Sequence, residues 1–170
     1  MITNIFVYWG IFNLFVGIWE IYAFANRDKL VLIPETIWNK IKNGSTTIKT
    51  FWLDAWIEYC KVDSRYIKKY SPTEYVWNFE LLNALIAFIF IICIANAKAN
   101  ANAKANVIKM LLLISIINCS CYFLTLIIEI YKNKIILENI KKYATTRMII
   151  LYYLICSIWL IVPIRLYLKL

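Results

Sequence analysis

Apolar residues run almost unbroken through four stretches of this chain, at about 3 to 25, 74 to 95, 107 to 131 and 148 to 168. Each is long enough, at about 1.5 Å per helical residue, to cross a hydrocarbon layer of about 30 Å. No water in that layer satisfies the backbone, so the stretches are predicted to be helices. The pattern predicts an all-α membrane protein: a four-transmembrane-helix bundle forming one domain over residues 1–170, with an amphipathic interfacial helix in its first loop.

That loop, residues 26–73, has its own punctuation. Pro34 and Glu35 suit the first turn of a short helix that stops at Asn43-Gly44. A second helix over about 46 to 61 places Ile48, Phe51, Trp52, Ala55 and Tyr59 at helical spacing, which suits a segment lying on the bilayer or capping the bundle. Ser71-Pro72-Thr73-Glu74 reads as a capping box with proline at the first helical position, predicting that the second span starts there. The near-repeat from Asn96 to Asn106 alternates alanine with asparagine and lysine, and is either a helical extension or a connector.

Composition agrees with the pattern. Of 170 residues, 62% are hydrophobic, and the mean hydropathy is +0.65, well beyond the ~45–50% apolar content of soluble domains. The net charge of +9, interleaved with apolar spans, points to lipid headgroups as partners and not to nucleic acid. Nine basic residues in the first loop and five over 132–147 place those loops on the cytoplasmic or matrix side. The five cysteines have no CxxC spacing and read as small buried hydrophobes. With no histidine, the commonest metal ligand and the usual proton-transfer group are both missing, so neither a metal nor another cofactor is expected.

Polar groups inside the spans mark the candidate pocket. Glu20 lies within the first apolar run and either faces the interior or reaches the interface. The second span carries Glu80 and Asn83 on one face, and the third carries Asn118 and Glu129. Together with Asn13 and Trp159 these residues are the ligand-pocket candidates. The densest polar stretch lies outside the spans, where Trp56, Glu58, Tyr59, Asp63, Arg65 and Tyr66 combine opposite charges with aromatic rings. Buried charges come paired, so these six are expected to form a structural clasp.

The clasp stretch also carries a resemblance. Trp56, Glu58-Tyr59, Lys61 and Asp63-Ser64-Arg65-Tyr66, followed by Glu80, resemble the signature of the EXPERA family, whose emopamil-binding-protein branch contains sterol isomerases. Weaker similarity extends to Gly10 through Trp19, to Tyr122-Phe123-Leu124-Thr125, and to Trp159-Leu160 with Pro163. The resemblance implies a membrane bundle enclosing a sterol-sized cavity, with a histidine and a glutamate on the first helix moving protons. Here Asn13 stands at the histidine and Gly17 at the glutamate. Leu126 replaces a further family glutamate, while Glu20 and Glu129 lie three residues after Gly17 and Leu126.

An amide does not shuttle protons at physiological pH. The expected function is therefore that of a degenerate family member with no catalytic residues, serving as an accessory subunit beside other membrane proteins in the mitochondrial inner membrane or endoplasmic reticulum. Two alternatives stand: an active isomerase with an unusual acid, or a receptor-like protein that binds sterols or hydrophobic amines.

Overall fold

Four helices in the computed structural model are long and apolar enough to cross a membrane: α1 (Asn4–Ala25), α4 (Trp77–Ala95), α5 (Ala101–Lys132) and α7 (Thr146–Tyr167). The structure describes residues 4–71, 74–96 and 101–170, with only the backbone of Lys49. Among them there is no strand. Three shorter helices complete the set: α2 (Ile37–Lys42), α3 (Ile48–Cys60) and α6 (Lys134–Tyr143). In each span only 22–33% of the most apolar window is buried within the protein. Side chains such as Tyr8, Phe15, Ile92, Ile127 and Leu154 are exposed on the spans, a surface consistent with an integral membrane protein in contact with acyl chains.

The chain divides into two compact units. The first comprises residues 1–21, 78–123 and 155–170. Its core is built from Phe6, Ile86, Phe90, Ile108, Leu111, Leu112 and Leu166. Within it α1 approaches α4 closely: a Cβ on Gly17 would stand 3.0 Å from the Ala84 Cα. Small residues permit such approaches, and in lipid they supply much of the packing between helices. The Lys104 ammonium reaches back to the carbonyls of Ile94 at 2.7 Å and Asn96 at 3.3 Å, satisfying orphan acceptors at the end of α4. Part of the alanine–asparagine near-repeat is thus helical and supplies a cap, although residues 97–100 of it lie outside the described residues.

The second unit comprises residues 22–77 and 124–154. The Thr36 hydroxyl caps α2 by accepting from the Asn39 amide at 3.2 Å, so that helix begins at Ile37, after Pro34 and Glu35. It ends at Asn43, and Gly44 follows at φ 67°, the left-handed position that favours glycine. Thr47 and Thr50 form a reciprocal capping box that starts α3. A Lys40–Asp54 ion pair ties α2 to α3.

Two expectations change. The second span starts at Trp77 and not at Glu74; Pro72 and Thr73 of the expected capping box lie outside the described residues. Glu74 adopts φ 51° and gives its carboxylate to the Arg27 guanidinium at 2.8 Å, so it serves a turn instead of a helix start. The loop over 132–147 contains α6, capped by Asn133, which accepts from the Ile135 amide at 3.1 Å. In the last span α7 runs past Pro163 and ends at Tyr167.

Candidate functional site

The clasp is built where α3 runs into a short 3₁₀ turn, Ser64–Tyr66. Asp63 caps that turn by accepting from the Arg65 backbone amide at 3.2 Å. The Arg65 side chain returns onto the same carboxylate, Nε to Oδ1 at 2.8 Å and Nη2 to Oδ2 at 2.7 Å. Its remaining donor, Nη1, reaches the Thr125 hydroxyl of α5 at 3.0 Å and the Tyr75 hydroxyl at 3.4 Å. Tyr152 of α7 donates its hydroxyl to Asp63 Oδ2 at 3.5 Å. From α6, the Asn139 amide donates to the Ser64 hydroxyl at 3.2 Å. One turn of chain therefore receives contacts from three helices.

Glu58 belongs to a second ion pair. It pairs with Lys61 at 2.8 Å and accepts from the Ile37 backbone amide at 2.7 Å. Lys61, fully buried, also donates to the Glu35 carbonyl at 2.8 Å. This second knot fastens α3 to the entry of α2, so the stretch holds two adjoining ion pairs, Asp63–Arg65 and Glu58–Lys61, the latter bringing in a lysine outside the six clasp candidates. Both follow the rule that a buried charge needs a partner and further hydrogen bonds.

Aromatic rings surround the knots. Trp56 stacks on Trp77 with centroids 5.6 Å apart, and Tyr66 meets Trp77 edge-on at 5.0 Å. Tyr59 contacts Tyr66 at 5.4 Å and Tyr152 at 4.9 Å. Such pairs contribute about 0.5–1.5 kcal/mol each beyond the area they bury. Burial, reinforced by the Asp63 charge, pushes the Cys60 thiol well above its ordinary range. Burial also raises the Tyr75 phenol, against the opposing pull of Arg65.

The pocket candidates separate. In the first unit the Asn118 amide donates to the Phe79 carbonyl at 2.9 Å and to Asn83 Oδ1 at 2.8 Å. Asn83 in turn donates to Glu80 Oε2 at 3.4 Å. Glu20 of α1 lies beside Glu80. Both residues are buried, and Glu20 Oε2 has no hydrogen-bond partner. Asn13 donates to the Trp9 carbonyl at 2.8 Å within its own helix. Trp159 packs on Trp9 and Phe12, at 6.2 and 5.4 Å. Glu129 belongs to the second unit, where its charge acts on Tyr75. It is not part of the Glu20–Glu80 network.

Asn13, Asn83 and Ser115 share the wall of a cavity of about 10 Å³ with Trp9, Phe90 and Leu111. That is room for one water with polar partners, and far too little for a sterol. Among the described residues no group of three acidic, cysteine or histidine side chains is placed to hold a metal ion.

Sequence reasoning missed Tyr75, Asn139 and Tyr152 as clasp partners. The spacing of Ile136, Asn139, Ile140 and Tyr143 along α6 was the available signal. Comparison with known proteins finds no matching family model, no matching curated protein and no matching solved structure.

Proposed function

We propose that the chain is a non-catalytic membrane protein of the emopamil-binding-protein type, serving as an accessory subunit of a larger membrane assembly. The observation that carries this reading is the state of the two positions where proton transfer would reside. The Asn13 amide is engaged by a carbonyl of its own helix, and the space beside Gly17 is filled by Ala84 of α4. The resemblance would put a proton donor at the first position and a glutamate at the second, the acid and base that isomerisation by proton transfer uses.

The exposed row Ile48, Phe51 and Trp52 on α3, with Trp38 on α2, supports a first loop lying in the membrane interface. The distribution of basic residues favours the cytoplasmic or matrix face for that loop, in either the endoplasmic reticulum or the mitochondrial inner membrane. Two measurements test the proposal. Protein purified in lipid-supplemented detergent should convert no sterol double-bond isomer, and gentle solubilisation should recover it with a stoichiometric membrane partner. Turnover, or recovery of the chain alone at every detergent strength, would sink it.

A second reading rests on Glu20 Oε2, a buried acceptor with no hydrogen-bond partner. Such a group suits the ammonium of a hydrophobic amine. A radiolabelled tertiary amine bound by the parent and released by Glu20→Gln would favour it; binding unchanged by that substitution would exclude it.

A further inference from the structure

The last helical turns of α7 carry an amphipathic groove that nothing in the reading above uses. Val162, Arg165 and Leu166 recur at i, i+3 and i+4 near the end of α7, so they share one face, and Lys169 follows just past the helix end at Tyr167. With Ile5 of α1 and Leu168 they line a groove of about 490 Å³. Leu166 is buried and forms its floor, while Arg165 and Lys169 are exposed at its side. A third cation stands nearby: the Lys109 ammonium lies 5.1 Å from the centre of the Tyr167 ring.

Charge decides what fits there. The only carboxylic side chains in this unit are Glu20 and Glu80. Both are buried, and Glu20 lies fifteen residues along α1 from Ile5, about 22 Å at helical rise. Among the described residues neither Arg165 nor Lys169 has an acidic partner within ion-pair distance. Four apolar walls beside two cations without an ion-pair partner among the described residues, at the end of a helix long enough to span a bilayer, match a molecule with an anionic head and a hydrocarbon tail.

We propose that this groove binds an anionic phospholipid, its phosphate held by Arg165 and Lys169 and the start of one acyl chain laid along Ile5, Val162 and Leu166. Arginine meets phosphate through a planar fork of N–H donors, and lysine adds a point charge. A soluble phosphate would use the two cations and leave the apolar walls empty.

Native mass spectrometry of the detergent-solubilised protein, titrated with phosphatidylglycerol or phosphatidylcholine of matched chains, tests this. One phosphatidylglycerol should be retained in preference to phosphatidylcholine. Near a membrane surface each basic residue is worth about fivefold in anionic-lipid affinity, so Arg165→Gln with Lys169→Gln should weaken retention about 25-fold. Lys141→Gln with Lys142→Gln, equally exposed on α6, should leave it unchanged. Equal retention of the two lipids, equal loss in both double variants, displacement by millimolar glycerol 3-phosphate, or a second copy of the chain in place of the lipid would each overturn the proposal. All four side chains are exposed, so the variants are expected to fold; matching melting curves verify this.

Discussion

The Arg65 guanidinium closes on the Asp63 carboxylate through two parallel hydrogen bonds of 2.8 and 2.7 Å, with the arginine 1% and the aspartate 0% exposed. A pair this deeply buried holds the fold through the consequence of losing either half. Removing one partner strands the other charge without water, at about 3–5 kcal/mol. Arg65→Ala should therefore abolish most of the folded yield in detergent, with Asp63→Ala close behind. Thr125→Val, which removes one neutral partner of a charged donor, should cost about 1.5–3 kcal/mol. Fluorescence-detected size exclusion after a temperature series ranks the three, and an Arg65→Ala protein that melts like the parent contradicts the assignment.

Gly17 should tolerate no side chain. The Cβ of Gly17→Ala would press on the Ala84 backbone at 3.0 Å, and relief requires α1 and α4 to separate. Overpacking of this kind costs about 1–3 kcal/mol. Gly44→Ala is the control: it meets nothing within 4 Å but sits at φ 67°, so its cost of about 1 kcal/mol comes from backbone conformation alone. A thermal melt in which Gly17→Ala equals the parent would show that the two helices part freely.

Asn118 joins α5 to α4 through two hydrogen bonds, to the Phe79 carbonyl and the Asn83 side chain. Side-chain hydrogen bonds between membrane helices average about 0.6 kcal/mol, with a maximum near 1.7. Asn118→Ala should therefore lower stability within that range, far less than Arg65→Ala. A double-mutant cycle with Asn83→Ala measures the coupling directly, and additive costs would show that the two amides do not act together.

Alkaline pH should destabilise the clasp. Cys60 and Tyr75 both hold their protons more tightly folded than unfolded. The unfolded thiol ionises near pH 8.5 and the unfolded phenol near 10. Above those values the unfolded state binds fewer protons than the native one, so stability falls as pH rises. It is fully present below about pH 8. Melting temperatures from pH 7 to 10 should decline, and the decline should flatten in Cys60→Ala with Tyr75→Phe. For the same reason a maleimide should label Cys60 slowly at pH 8 until the protein is unfolded, which mass mapping of the labelled site can follow.

What the sequence determined by itself was everything governed by local periodicity and by the bilayer. Four apolar runs had to be helices because a chain in hydrocarbon must satisfy its own backbone, and their observed limits differ from the expected ones by a few residues, most at the near-repeat before α5. The Asn43-Gly44 stop was legible for a similar reason, since the left-handed residue after a helix is a property of one glycine. The charges and rings of residues 56–66 were equally visible, because a polar cluster in a greasy chain announces that something must pair.

Only the tertiary structure decided which partners those groups take. Arg65 finds Thr125 sixty residues later, and Ser64 finds Asn139 seventy-five residues later, distances at which sequence spacing carries no geometric information. Glu58 pairs with Lys61 and the Ile37 amide, because a carboxylate is satisfied by whichever donors the fold brings near. The wheel over Ile48, Phe51 and Trp52 left open whether that face lies on the bilayer or caps the bundle; these side chains are exposed, while Asp54, Trp56, Ile57 and Cys60 are buried. Hydrophobic periodicity says that a face wants to leave water, but within one membrane protein it does not distinguish a face turned to the core from one turned to lipid, since both are apolar solvents.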